Sequence, residues 1–122
     1  MLLVCALASL SPTTQISPYV SKVFSDHMVL QRESVVPIWG YAPPGSEIEI
    51  QPSWTGKIKV KAGSDSKWIA RVKTGKAGGP YSIEFKWGEN GQKKIEDILF
   101  GEVWLCSGQS NMEWPMTGIG KP

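Results

Sequence analysis

One histidine and two cysteines are all the imidazoles and thiols that the 122 residues offer for catalysis, metal binding or cross-linking. With His27 as the sole imidazole, any hydroxyl nucleophile in this chain has a single histidine to turn to as its base. Cys5 lies in an apolar leader and Cys106 far from it, so a processed, secreted form would hold one cysteine and no internal disulfide. Charge of one sign is also missing. Thirteen basic against eleven acidic residues give +2, and the lysines alternate with apolar residues without forming a stripe, which excludes the electrostatic footprint of a nucleic-acid binder. Long apolar runs are absent as well. The longest near the start, Leu2 to Leu10, is too short to span a bilayer. Hydrophobic residues at 41% and charged residues at 20% are those of a soluble globular chain, not of a disordered one. The length suffices for one ordinary domain and excludes a complete enzyme of the larger α/β type.

The apolar Leu2–Leu10 run carries a small-x-small Ala6-Leu7-Ala8 and is followed by a Ser/Thr/Pro segment, which suits a secretory signal, although a basic start is lacking. Beyond Ser17 the pattern changes to period two. In Pro80 to Trp87, Tyr81, Ile83, Phe85 and Trp87 fall on one side and Ser82, Glu84 and Lys86 on the other, as successive residues of a strand do. Glu47–Ile50 and Lys57–Lys61 alternate in the same way, with the lysines expected on a solvated edge. Trp68, Ala70 and Val72 alternate with Ile69, Arg71 and Lys73, a strand expected to be partly covered on both faces. Val35 to Trp39 reads as a strand at an edge or bulge, since Pro37 cannot donate to a ladder. Turn residues separate these runs at Pro43-Pro44-Gly45, Gly63-Ser64-Asp65, Gly75 to Pro80 and Glu89-Asn90-Gly91. No helical window occurs between Ser17 and Phe100, so the expectation is a mainly β chain folded as an antiparallel β-sandwich. Trp39, Trp68 and Trp87 read first as core and edge packing, and second as a sugar-stacking platform.

From Ile98 to Gly108, "ILFGEVWLCSG", the sequence is nearly continuously apolar, as in a strand buried on both faces. That predicts the first strand of a second, α/β domain, and Ser110 would stand at its carboxyl end, where ligands bind in such sheets. Gly108 permits a sharp turn, and the Ser110 backbone N–H is placed to help hold an oxyanion. Gly108-Gln109-Ser110-Asn111 lacks the second glycine of a G-x-S-x-G elbow, so on local pattern alone a helix cap or turn fits equally well. His27 reads as a polar turn residue, and Asp26 cannot orient it merely by adjacency.

Four blocks carry a resemblance: "VFSDHMVLQR" at Val23 to Arg32, "VPIWGYAPPGSEIEI" at Val36 to Ile50, "AGGPYSIEF" at Ala77 to Phe85, and "GEVWLCSGQSNMEWPM" at Gly101 to Met116. In order and spacing they resemble the amino-terminal part of the sialate O-acetylesterase family, the last block most specifically. The resemblance implies an SGNH-type serine esterase that removes O-acetyl groups from sialic acids, in secreted, lysosomal or cytosolic form. It also implies a β-sandwich of jelly-roll or galactose-binding-like kind ahead of an α/β hydrolase domain. The expected divisions are 1–17 as leader or disordered end, 18–100 as β-sandwich, and 101–122 as the truncated start of the hydrolase domain. Ser110 matches the family's nucleophile, flanked by Gly108, Gln109 and Asn111; no metal or organic cofactor is expected. The family's histidine and acidic partner belong to later blocks that have no positions here, and His27 inherits no role. The expectation is therefore an esterase-type chain that is inactive alone, acting as part of the full enzyme on O-acetylated sialic acid or a related acetylated sugar. Nucleic acid and membrane insertion are not expected, and no feature sets an oligomeric state. The competing reading is a noncatalytic β-sandwich module that binds carbohydrate or a protein partner through its aromatics.

Overall fold

In the computed structural model, residues 16–108 are described, and they form eight β-strands and no helix. The strands are β1 (Tyr19–Val20), β2 (Val29–Gln31), β3 (Val35–Tyr41), β4 (Glu47–Pro52), β5 (Ile58–Lys61), β6 (Lys67–Lys73), β7 (Gly78–Trp87) and β8 (Gly91–Gly101). They make a three-stranded sheet in the order β1-β3-β6 and a five-stranded sheet in the order β2-β8-β7-β4-β5. The chain is thus mainly β, as the period-two alternation predicted.

The inward residues of both sheets feed one core. Ile38, Trp68, Ala70 and Val72 come from the three-stranded sheet, and Ile48, Ile50, Ile83, Phe85, Ile95, Ile98 and Phe100 from the five-stranded one. The Trp68 and Phe85 rings meet across the two sheets with centroids 6.1 Å apart. Burying a side chain such as Phe85 or Ile50 contributes roughly 1.5–3 kcal/mol each, which is why the alternation decides the fold. Gly40 stands opposite Trp68 in the β3–β6 ladder, and a Cβ there would collide with the Tyr19 carbonyl and the Trp68 ring. The indole therefore fills the space that the glycine leaves.

Several expectations change. The architecture is not purely antiparallel, because β2 runs parallel to β8, with Val29 opposite Leu99 and Gln31 opposite Gly101. A parallel pair needs a long connection between its strands, and here most of the fold supplies it. β6 is covered on one face only: Trp68, Ala70 and Val72 are buried while Ile69 is 54% exposed. Pro37 does sit where nothing needs its missing N–H, since β1 reaches only Gly40 and Tyr41 of β3. β5 is an edge strand, and Lys57 just before it and Lys59 on it pair with Glu49 and Glu47 of β4 at 2.8 and 2.9 Å. The β7–β8 hairpin closes with Trp87 opposite Gly91, and Gly88, not Asn90, takes the left-handed φ of 59°.

The largest difference is at the apolar run from Ile98. Its first part is the end of β8, with Ile98 and Phe100 buried and Leu99 44% exposed, so it alternates and is not covered on both faces. After Gly101 no strand follows among the described residues, and Val103, Trp104 and Leu105 are exposed, the last two at 83% and 95%. Continuous apolarity arose from joining an inward-facing strand end to a segment that has no cover.

Candidate active site

Gly108 is the last described residue and is exposed; Gln109, Ser110 and Asn111 lie outside the described residues, as does the leader up to residue 15. What the structure gives is the root from which the serine-bearing block departs. β8 ends at Gly101, whose carbonyl accepts the Arg32 N–H at 2.9 Å. The next residue, Glu102, is clamped through both carboxylate oxygens: Gln31 Nε2 donates to Oε2 at 2.9 Å and Arg32 Nε to Oε1 at 2.6 Å. The Val103 N–H then donates to Gln31 Oε1 at 2.9 Å. One glutamine amide therefore holds two consecutive residues of the departing segment, using its donor and its acceptor.

Chemistry explains why this clamp is directional. A carboxylate with a separate charge-assisted donor on each oxygen has little rotational freedom. The Gln31 hydrogen bond, followed by that from Arg32, holds the Glu102 carboxyl below the usual carboxylate range. Glu102 in turn raises the Arg32 guanidinium above its ordinary value. Gln31 is fixed from behind by Thr74, a buried hydroxyl that donates to the Gln31 carbonyl at 2.7 Å and accepts the Ser34 N–H at 3.1 Å. Beneath the exit, Phe100 stacks on Tyr81 at 4.3 Å and meets the Trp54 ring edge-on at 4.8 Å. Trp54 Nε1 donates to the Lys73 carbonyl at 2.9 Å. Strand pairing, carboxylate clamp and aromatic brace together set the direction in which the chain leaves the sheet.

His27 is not in this clamp. Its Nδ1 lies 2.6 Å from Asp97 Oδ2, and the two side chains are 78% and 51% exposed. Asp97, not the adjacent Asp26, orients the ring; Asp26 instead accepts the Glu96 N–H at 2.8 Å. His27 and Asp97 both have positive φ, 64° and 54°, and they meet just before the stretch where β2 pairs with β8. The hydrogen bond and charge of Asp97 raise the imidazole above its ordinary value. An imidazole oriented by a carboxylate is one half of a triad, but among the described residues no hydroxyl or thiol hydrogen-bonds to it. Its evident work is to staple the loop before β2 to the outer edge of β8.

The three tryptophans flagged in the sequence separate. Trp68 is core, Trp87 packs half-buried against the core, and Trp39 is 38% exposed with its ring edge-on to Phe24 at 4.7 Å. Only Trp39 of the three presents itself to solvent as a platform would. Cys106 is exposed and has no disulfide partner among the described residues, and no group of three or more His, Cys, Asp or Glu side chains there is placed to hold a metal ion. No described helix is long and apolar enough to cross a membrane. Sequence reasoning missed Gln31, Arg32, Glu102, Thr74 and Asp97. The blocks "VLQR" and "GEVW" were each visible, but nothing local in either says that they touch.

No family model matches the chain. Mouse sialate O-acetylesterase is 30% identical over 122 residues, covering 93% of this chain and 23% of the mouse protein. Human sialate O-acetylesterase is 37% identical over 105 residues, covering 78% of this chain and 20% of the human protein. Among solved structures, a carbohydrate acetylesterase from Xanthomonas citri superposes with a TM-score of 0.71 at 35% identity, over 81% of this chain and 22% of the other. The chain thus spans between a fifth and a quarter of the length of these relatives.

Proposed function

We propose that this chain, whose curated homologues are sialate O-acetylesterases, carries the β-rich part and the nucleophile block of a serine esterase that removes O-acetyl groups from sialic acids or related acetylated sugars. The alignment with acetylesterases over most of the chain is the observation that carries this reading. We read the two sheets as the layers of a sandwich, and the segment from Gly101 onward as the entry to an SGNH-type α/β domain. Secretion or lysosomal delivery through the Leu2–Leu10 segment belongs to the same proposal, with a cytosolic form as the variant that lacks it.

In this mechanism the Ser110 Oγ attacks the acetyl carbonyl, passes its proton to a base, and releases the sugar hydroxyl, leaving an acetyl-enzyme that water hydrolyses. The Ser110 backbone N–H donates to the developing oxyanion, with Gly108 providing the turn and Gln109 and Asn111 flanking it. The clamp on Glu102 supports this role, because a nucleophile must be held close to its productive geometry and, among the described residues, the segment leading to it is anchored seven to nine positions upstream, at Gly101, Glu102 and Val103. No base is assigned within the chain, since His27 lies in the β-rich part and no described hydroxyl or thiol hydrogen-bonds to it. The chain by itself is accordingly proposed to be without esterase turnover.

The test is a chimera in which this chain replaces the matching stretch of a relative. Hydrolysis of an O-acetylated sialic acid that drops by about 10³-fold or more on Ser110→Ala supports the nucleophile; an unchanged rate removes it. Turnover by the purified 122-residue chain, abolished by Ser110→Ala, would overturn the proposal that it is inactive alone.

A further inference from the structure

The three-stranded sheet ends on a long edge, β6, with which only β3 pairs among the described residues. At the two ends of the β3–β6 ladder, the Ala42 N–H donates to the Ser66 carbonyl and the Thr74 N–H to the Ser34 carbonyl, both at 2.9 Å. Backbone groups alternate sides along a strand, so the even-numbered residues of β6 face β3 and the odd-numbered ones face away from it. The outermost of these are already engaged. The Lys67 carbonyl accepts the Gly63 N–H at 2.9 Å, the Lys67 N–H donates to Asp65 Oδ1 at 3.1 Å, and the Lys73 carbonyl accepts from Trp54 Nε1 at 2.9 Å. Between these closed ends, Ile69 and Arg71 turn their N–H and C=O groups to a side where no described strand lies beside β6. The other edge strands, β1, β2 and β5, have two, three and four residues against seven for β6.

Charge is segregated beside this edge. Strands β1, β3 and β6 contain no Asp or Glu, and the outward side chains of β6 are Lys67, Ile69, Arg71 and Lys73. The three cations stand opposite Tyr41, Pro37 and Val35 of β3, none of which can neutralise them. Cations on the five-stranded sheet are placed differently. Lys61 is opposite Glu47 and Lys86 opposite Glu49 in the ladders, and Lys59 donates to Glu47 at 2.9 Å. Ile69, 54% exposed, interrupts the cationic row with one apolar position. The edge therefore offers two residues' worth of free backbone groups, flanked at alternate positions by positive charge that the sheet itself leaves unbalanced.

We infer that β6 accepts an extended acidic peptide of another protein as an added strand, with carboxylates opposite Lys67, Arg71 and Lys73 and an apolar side chain opposite Ile69. Main-chain bonds to Ile69 and Arg71 supply the docking, and the alternate cations select the sequence. A second copy of this chain fits less well, because antiparallel pairing of two β6 edges about Ala70 sets Lys67 of each against Lys73 of the other. An anionic bilayer would meet the charges and leave the backbone groups without partners. The inference stands apart from the esterase reading: its residues are not those of the Glu102 clamp, and the peptide is bound without being cleaved.

The experiment is a titration of the ¹⁵N-labelled chain with the end-capped heptapeptide Glu-Thr-Glu-Thr-Val-Thr-Glu and with its counterpart Lys-Thr-Lys-Thr-Val-Thr-Lys. The expected result is saturable shifts at Ile69 and Arg71 with a Kd of about 0.1–1 mM for the acidic peptide, and binding of the basic one at least about tenfold weaker. Amide exchange at Ile69 and Arg71 should slow by about fivefold or more at saturation, a readout that attraction between side chains alone would not move. The exposed double substitution Arg71→Glu with Lys73→Glu should weaken the acidic peptide by about tenfold without moving the unfolding midpoint. Ile69→Pro removes an N–H that faces away from β3, so the chain should still fold while its affinity for the peptide falls by about fivefold or more. Absence of saturable shifts up to about 5 mM acidic peptide overturns the inference, as does equal binding of the two peptides or unchanged exchange at Ile69 and Arg71. Binding to phosphatidylserine vesicles without binding to the peptide would overturn it in favour of a membrane surface.

Discussion

Replacing Thr74 by valine tests whether the buried hydroxyl behind Gln31 governs the exit of the chain from β8. The side chains are nearly isosteric, so the perturbation removes hydrogen bonds and leaves the packing. Thr74 Oγ1 donates to the Gln31 carbonyl at 2.7 Å and accepts the Ser34 N–H at 3.1 Å, in a residue only 4% exposed. Each partner loses its bond in the valine variant, and water has poor access to replace it. Leaving such groups unsatisfied costs about 1–3 kcal/mol in total, after allowing for the methyl that valine adds to the interior. With a urea dependence of about 1 kcal/mol per molar for a domain of this size, the unfolding midpoint should fall by about 1–3 M. Thr74→Ser, which keeps the hydroxyl and loses one methyl, should cost about 0.8 kcal/mol. The two variants therefore separate hydrogen bonding from packing. Amide exchange adds a local readout, because a loosened Gln31 should speed exchange at Val103, whose N–H it holds at 2.9 Å. A valine variant as stable as the serine one, with Val103 exchange unchanged, would refute the reasoning.

Glu102→Gln should leave the global midpoint nearly unchanged but accelerate Val103 exchange, since the charge is lost and one of the two oxygen acceptors facing Gln31 and Arg32 becomes an NH2 donor; in the parent, the same acceleration should appear as pH falls through the lowered Glu102 value, because a depressed carboxyl stabilises only while ionised. The His27–Asp97 staple has the opposite sign. Its imidazole is raised, so its contribution is fully present below about 6.5, the ordinary imidazole value, and is lost as pH rises through the folded one; thermal scans of Asp97→Asn should lack that step, and a step of equal size would exclude the staple as its source. Trp104→Ser combined with Leu105→Ser should lower concentration-dependent light scattering without altering the unfolding midpoint, because both side chains are exposed at 83% and 95%; scattering equal to the parent's would show that this segment is not what associates.

The strands that sequence revealed are those whose burial alternates in a long enough run. β6 and β7 place Trp68, Ala70, Val72, Ile83 and Phe85 inward at every second position, and a period of two can be read without knowing any partner. β2 has only three residues, too few for a period, and its parallel partner lies some seventy positions away. The same distance hid the side chains of the clamp and of the His27–Asp97 pair. Arg32 and Glu102 are 70 apart, as are His27 and Asp97, and nothing in the flanking residues of either announces the other. The run from Ile98 to Leu105 misled for a different reason. Hydropathy reports that side chains would prefer cover, and it does so equally for Phe100, which has it, and for Trp104, which does not. The candidate site reads in the sequence as a motif at Gly108 to Asn111, which beyond Gly108 lies outside the described residues; the clamp upstream of it was not legible, because it is a relation between distant segments.

The parallel pairing of β2 with β8 also sets an order of events during synthesis. Val29 cannot find Leu99 until nearly the whole described chain has left the ribosome, whereas the hairpin of β7 and β8 forms between neighbours. Contacts of such long separation form late, once loop closure has been offset by the rest of the fold. Gln31 and Arg32 acquire their places at the same moment, so the residues that follow Gly101 emerge onto an edge that has only just been completed. The fold thereby times its own last strand to the arrival of the segment it must hold.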